Sequence, residues 1–126
     1  MSNRHQRRAN LASFRRDAAH GLLTYLIEAN DPLDRAPVLR DAINFWRANA
    51  PTRKPICIGC KGQFTGEARV EVAGFLLATS PASSGTASVS GICVTCWSGL
   101  SDDEIERAAL RVLRTFLPNA RFEDAP

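Results

Sequence analysis

Apolar residues recur at steps of three and four along the first part of the chain. They are Leu11, Phe14, Ala18, Leu22, Tyr25 and Leu26. Residues at that spacing share one face of a helix, so the pattern predicts a first helix over residues 10–30. The sequence 30–32, Asn-Asp-Pro, ends it, because a proline disfavours helical backbone at the residue before it.

A second helix is predicted over residues 34–50. Asp34 is a suitable N-cap, and Pro37 fits the first turn, where its missing N–H is not needed. The apolar stripe of this helix consists of Leu39, Ala42, Ile43 and Trp46. Pro51 is predicted to stop the helix.

The pattern then changes to a two-residue alternation. Val70 and Val72 lead into the apolar run 75–77, which predicts a strand over residues 69–79. Gly74 within this strand indicates a bend or bulge. A loop rich in Ser and Gly follows at residues 80–86, and residues 87–92 predict a return strand. Residues 55–99 are therefore predicted to form a β-hairpin.

The C-terminal helix has the clearest local signals. Ser101 and Glu104 have the spacing of a capping box, and Asp102 and Asp103 complement the positive end of the helix dipole. The apolar face consists of Ile105, Ala109, Val112, Leu113 and Phe116. We predict a helix over residues 101–117, ended by Pro118.

The four cysteines of the chain bracket the predicted hairpin in two Cys-x-x-Cys pairs. They are Cys57, Cys60, Cys93 and Cys96. Two intervening residues let both sulfurs of a tight turn face one metal ion, and four thiolates at about 2.3 Å complete a tetrahedron. We therefore predict one structural Zn²⁺ ion bound by these residues. The glycines of the turns suit the positive φ that such turns often need.

Other interpretations of the cysteines stay open at this stage. The same spacing fits a mononuclear iron site and, less well, an iron–sulfur cluster. Two disulfides or four free thiols are the alternatives without a metal. A reducing cytoplasm, which is the expected location, favours metal binding over disulfides. An organellar transit peptide is a further interpretation of the Arg-rich start.

The sequence indicates no catalytic chemistry. A catalytic zinc site keeps an open position, whereas four cysteines close the tetrahedron. The chain has no phosphate-binding loop, dinucleotide fingerprint or nucleophile elbow. We therefore expect no enzymatic activity and no small-molecule substrate. No apolar run has the length of a membrane span, so no membrane partner is expected.

Two Cys-x-x-Cys pairs around a hairpin, followed by a capped helix, resemble the zinc-ribbon and treble-clef group of zinc domains over residues 55–117. The resemblance implies a zinc site that binds nucleic acids, binds proteins or braces a larger fold. In typical treble clefs the last cysteine lies on the first turn of a helix, whereas Cys96 precedes Ser101 by five residues. The choice between ribbon and treble clef therefore stays open. The arrangement also resembles small bacterial proteins with an Arg-rich start, which implies no activity.

These elements together predict an α+β fold. Residues 1–8 are expected to be a disordered basic arm, and residues 9–126 a single small metal-stapled domain. Two N-terminal helices would pack on the zinc-bound β-hairpin, and the C-terminal helix would close the core. A metal would help, because a chain of 126 residues buries only a modest core.

Charge is unevenly distributed along the chain. Residues 1–54 contain ten Lys and Arg against five Asp and Glu, while the net charge of the whole chain is +3. Such an excess can steer an acidic partner, so we predict nucleic-acid binding through the Arg-rich arm, extended beside the metal site. The candidate residues are Arg4, Arg7, Arg8, Arg15, Arg16, Arg53, Lys54 and Lys61.

Two other functions are compatible with the sequence. A protein-interaction adaptor would use the helical surfaces, residues 80–88, or the face formed by Arg107, Arg111 and Arg114. A zinc-thiolate redox sensor would use the metal-bound thiolates, which oxidants attack with loss of the metal. Without a partner, the arginines would form a solubilising tail and a solvated helix face.

Overall fold

A computed structural model of the chain describes residues 15–80 and 87–123. Within these ranges there are four strands and three helices. In chain order they are β1 (Arg15–Arg16), β2 (Leu23–Glu28), α1 (Pro37–Arg53), β3 (Val72–Thr79), β4 (Ser88–Cys93), α2 (Val94–Gly99) and α3 (Asp102–Arg114). The strands form one antiparallel sheet in the order β1-β2-β3-β4. The predicted mixture of helices and strands in a small domain is confirmed.

The predicted helix over residues 10–30 is wrong for residues 15–30, which are the part of it that the structure describes. That part of the chain forms β1 and β2, joined by a turn in which Gly21 has a φ of 72°. β2 pairs with β3 along all six of its residues. Thr24, Tyr25 and Ile27 are β-branched or aromatic and suit this position, so pairing outweighs the helical spacing. Leu11 and Phe14 lie outside the described residues.

The two faces of the sheet carry separate cores, because successive strand residues point to opposite faces. On one face, Leu26, Leu76 and Ile92 pack with α3 and the cysteines. On the other face, Ile27, Phe75 and Leu77 pack with α1 through Leu39 and Ile43. The sheet therefore has a helix on each side, and the cysteines lie on the side of α3.

The boundaries of α1 differ from the prediction at both ends. Its N-cap is Ala36, which makes no side-chain cap hydrogen bond, so Asp34 is not the cap; Pro37 occupies the first turn as predicted. The helix continues through Pro51, which removes only one backbone hydrogen bond. Its last residue is Arg53, and the C-cap Lys54 has a φ of 52° and donates its N–H to the carbonyl of Ala50 at 2.8 Å.

The predicted hairpin and C-terminal helix are present. β3 and β4 pair, with a register irregularity between Val72 and Gly74, as the glycine indicated. In the capping box of α3, the N–H of Glu104 donates to Ser101 Oγ at 3.2 Å, and the N–H of Ser101 donates to Glu104 Oε1 at 2.9 Å. Phe116 lies beyond the end of α3 and is 51% exposed, so it is not a core residue. No helix in the described ranges is long and apolar enough to cross a membrane.

Candidate metal centre

The fold brings the four cysteines together. The Sγ atoms of Cys57, Cys60, Cys93 and Cys96 all lie within 4.8 Å of one another. The sulfurs of Cys60 and Cys93 are 3.7 Å apart. Three of these residues are buried, and Cys60 is exposed. The structure thus forms one cluster from two sequence motifs that are separated by 32 residues.

The first pair lies in a tight turn closed by its own backbone. The N–H of Cys57 donates to the carbonyl of Gly62 at 2.8 Å, and the N–H of Lys61 donates to the carbonyl of Cys57 at 2.9 Å. The residue with positive φ in this turn is Lys61, at 64°, so the expectation that the glycines would adopt it is wrong. Gly59 is needed for space instead, because a Cβ there would stand 2.8 Å from the sulfur of Cys96.

The second pair lies at a strand-to-helix junction. Cys93 is the last residue of β4 and the N-cap of α2, and Cys96 lies in the first turn of α2. This short helix was missed by the sequence analysis. Its cap makes no side-chain hydrogen bond, so a capping signal of the kind seen at Ser101 was lacking.

Backbone N–H groups are directed at the sulfur of Cys57. Gly59 and Cys93 each donate to it at 3.3 Å. Burial raises the pKa of the Cys57 thiol, but the N–H groups of Cys60, Cys93 and Gly59 together outweigh burial and lower this pKa to about 7. This sulfur is therefore prepared to carry negative charge near neutral pH.

The other two buried thiols have the opposite tendency. Burial raises the pKa of Cys93, and burial together with the adjacent thiols raises the pKa of Cys96. Four thiolates at this separation repel one another in a poorly solvated site, so they ionise together only if a cation compensates their charge.

The geometry of the cluster fits such a cation. Four ligands at about 2.3 Å from one ion, at the corners of a tetrahedron, are about 3.8 Å apart. The distance between the sulfurs of Cys60 and Cys93, 3.7 Å, matches this value. The four cysteines can therefore hold one metal ion. A set of four sulfur donors is compatible with zinc and with iron.

The basic residues proposed to bind nucleic acid are not assembled into one patch within the described residues. Arg15 and Arg16 lie in β1, where Arg15 pairs with Glu106 at 3.3 Å and Arg16 pairs with Glu123 at 3.8 Å. Residues 53, 54 and 61 lie toward the opposite edge of the sheet, where Ile58 of the cysteine turn donates its N–H to β4. Arg4, Arg7 and Arg8 lie outside the described residues.

The arginine face of α3 is partly used by the protein itself. Arg111 donates to the carbonyl of Ile58 at 3.2 Å, which ties α3 to the cysteine turn. Arg114 donates to the carbonyl of Ala120 at 2.9 Å. Most of residues 80–88, the other candidate adaptor surface, lies outside the described residues.

A groove between α1 and the start of β4 was missed by the sequence analysis. It has a volume of about 660 Å³ and includes the exposed side chain of Phe45. A signal for it was lacking, because its two walls come from segments far apart in the chain. Comparisons of the chain with family models, with curated proteins and with solved structures find no match.

Proposed function

We propose that the chain is a non-catalytic zinc-binding protein whose four cysteines form a closed structural centre. The observation that carries this proposal is the convergence of four sulfurs within 4.8 Å of one another. Four thiolates fill the positions that structural zinc normally takes. The ion would join the cysteine turn, the end of β4 and α2, and would stabilise the fold because its binding energy is available only to the folded chain.

Within this proposal we place the centre in the treble-clef arrangement rather than the ribbon. The support is the position of Cys96 in the first turn of α2, directly after the hairpin. In this arrangement the N–H groups at the start of α2 lie near the sulfurs, and Cys93 accepts a backbone hydrogen bond from Cys96.

The test is metal analysis of protein produced in medium that contains both zinc and iron. We expect about one zinc per chain and little iron, and a lower melting temperature after removal of the metal by a strong chelator. Substitution by Co²⁺ should produce the visible absorption of a tetrahedral thiolate site. Protein that melts at the same temperature with and without metal would contradict a structural role, and one iron per chain would contradict zinc.

The exposure of Cys60 favours a second candidate function, the redox sensor. Hydrogen peroxide would take two electrons from the thiolates of Cys60 and Cys93, which would form a disulfide and release the metal, while the O–O bond breaks and both oxygens, with two protons from the solvent, leave as water. The test is zinc release under dilute peroxide, followed by recovery on addition of a reductant. Release that the reductant does not reverse would indicate damage rather than sensing.

Nucleic-acid binding stays a prediction. It can be measured by fluorescence anisotropy of labelled DNA and RNA across a salt series. The comparison protein should lack residues 1–14 only, because Arg15 and Arg16 form β1 and pair with Thr24 and Leu23. Binding that is steep in salt and is lost with residues 1–14 would support the Arg-rich arm.

A further inference from the structure

We propose that the groove between α1 and β4 binds an extended peptide, which adds as a strand to the free edge of β4. The proposal concerns a surface separate from the metal cluster and does not depend on which metal the cysteines bind. Three features of the surface support it: an apolar stripe along α1, a backbone edge at Val89 that no described residue covers, and charges of opposite sign at the two ends of the groove.

The first feature is the stripe along α1. Val38, Ala42, Phe45 and Arg53 line the groove at steps of four, three and eight residues, so the groove follows one face of the helix. This face adjoins the one that packs Leu39 and Ile43 into the core. Phe45 is 59% exposed and Val38 is 40% exposed, so with Ala42 between them they form a contiguous apolar surface along the helix.

The second feature is the outer edge of β4, which is the last strand in the order of the sheet. In an antiparallel strand, the N–H and C=O of one residue point to the same side, and those of the next residue point to the other. The carbonyl of Gly91 accepts the N–H of Ile58 at 3.2 Å, on the side away from β3. Val89, opposite Leu77, lies two residues earlier in regular register, so its N–H and C=O also point away from β3.

The cysteine turn covers the edge of β4 at Gly91 but does not reach Val89. Within residues 15–80 and 87–123, no backbone group outside the sheet pairs with Val89. Val89 also lines the groove. An incoming strand would therefore find a backbone donor and acceptor beside an apolar channel, which is the combination used in strand addition.

The third feature is charge. Asp41 lines the groove toward the start of α1, and Arg53 lines it at the end. These residues are twelve positions apart, about 18 Å along a helix, which is the length of about five residues of extended chain. A fitting peptide has apolar side chains at alternate positions, with a basic residue near Asp41 and an acidic residue near Arg53.

The local environment leaves both charges available to such a peptide. The guanidinium of Arg53 lies 5.6 Å from the ring centre of Phe45, so the cation and the apolar anchor form one unit. Asp41 is 3.8 Å from Arg40, in an exposed pair of the kind that contributes little stability. The groove favours a peptide over nucleic acid, because Asp41 repels phosphate and the lining is mainly apolar.

The experiment uses the full-length, metal-loaded chain and a phage-displayed library of random ten-residue peptides. We expect selected peptides to share the apolar alternation and the two opposite charges. A synthetic peptide of the consensus sequence should shift the backbone amide signal of Val89 in an NMR titration and slow its hydrogen exchange. Phe45→Ala should weaken binding at least about tenfold.

Two further variants make the result specific. Phe116→Ala is the matched control, since Phe116 is a similarly exposed phenylalanine outside the groove, and it should leave binding unchanged. Arg53→Glu should reverse the preference at one end of the peptide from acidic to basic. This reversal remains informative if Phe45→Ala lowers stability.

Several results would overturn the proposal. These are the failure of the library to yield a peptide that perturbs Val89, and binding that Phe45→Ala leaves intact. Perturbation of the same signals by single-stranded DNA or RNA but not by peptides would assign the surface to nucleic acid. Concentration-dependent self-association that Phe45→Ala abolishes would assign it to a second copy. If peptides bind only after residues 1–14 are deleted, the groove would be assigned to the chain's own N-terminus. Zinc content, measured on the same samples, separates these outcomes from failure of the metal site.

Discussion

The indole ring of Trp97 lies directly on the backbone of Gly74. A Cβ at position 74 would stand 2.2 Å from Cζ3 of the indole and 2.3 Å from Cε3. Trp97 is 8% exposed and belongs to the same core cluster as the cysteines. The glycine at the register irregularity of β3 therefore also lets α2 pack closely on the sheet, next to the four cysteines.

Gly74→Ala should destabilise the protein, because the added methyl group and the ring cannot occupy the same space. We expect a loss of about 1–3 kcal/mol in the free energy of unfolding, measured by denaturant titration of the metal-loaded protein. Gly99→Ala is the matched control, since a Cβ there meets nothing within 4 Å. Equal stability of the two variants would contradict the packing described for Trp97.

Cys93→Ser should lower both metal affinity and stability. Cys93 is buried and its sulfur lies 3.7 Å from that of Cys60, so the substitution removes one of the four clustered sulfurs and leaves the backbone hydrogen bonds in place. We expect a loss of at least about 2 kcal/mol in unfolding free energy under saturating zinc, measured by thermal melts. Cys60→Ser, at the exposed position, should also weaken zinc binding. Its loss of unfolding free energy, measured after the metal is removed by a chelator, should be smaller than that of Cys93→Ser. A Cys93→Ser protein that melts like the parent without bound metal would show that the site is not structural.

Asp17 ties the turn after β1 to the C-terminal segment. Its carboxylate is buried and accepts the N–H of Arg121 at 2.7 Å and the N–H and Nδ1 of His20 at 2.6 and 2.8 Å. Asp17→Asn should lower the unfolding free energy by about 2 kcal/mol at pH 7, because the amide cannot accept all of these bonds. Asp34→Asn, which changes an exposed carboxylate that caps no helix, is the control.

The effect of Asp17→Asn should depend on pH. Burial raises the pKa of the Asp17 carboxyl, but its hydrogen bonds to Arg121 and His20 outweigh burial and hold this pKa below 3.8. A carboxylate with a lowered folded pKa stabilises the fold above its unfolded pKa, and that contribution is lost as the pH falls through the folded value. The difference in stability between parent and variant should therefore be constant above about pH 5 and shrink below about pH 4. A difference that grows on acidification would contradict this assignment.

The capping box of α3 should contribute measurably to stability. Ser101→Ala removes the oxygen that accepts the N–H of Glu104, and we expect a loss of about 1 kcal/mol in unfolding free energy. Ser101→Asp retains an acceptor at the same position and should restore most of that loss. If Ser101→Asp is no more stable than Ser101→Ala, the hydrogen bond is not the source of the effect.

The features that the sequence predicted correctly depend on neighbouring residues. Ser101 and Glu104 are three residues apart, so their reciprocal hydrogen bonds form within one helical turn. The two Cys-x-x-Cys pairs likewise predicted one cluster of four sulfurs that could hold a metal ion. The hairpin was predicted because alternation and a glycine- and serine-rich loop lie next to each other in the chain.

The features that only the tertiary structure decided depend on contacts between distant segments. Residues 23–28 have apolar positions compatible with a helix, but pairing with β3 makes them a strand, which spacing alone does not reveal. Cys96 lies in α2, and this short helix has no side-chain cap hydrogen bond to predict it. It packs on the sheet through the contact of Trp97 with Gly74. The groove at Phe45 exists because α1 and the start of β4, which are far apart in the chain, form its two walls. Local spacing therefore determined the candidate metal ligands and the C-terminal helix, and long-range packing determined the sheet and the groove beside it.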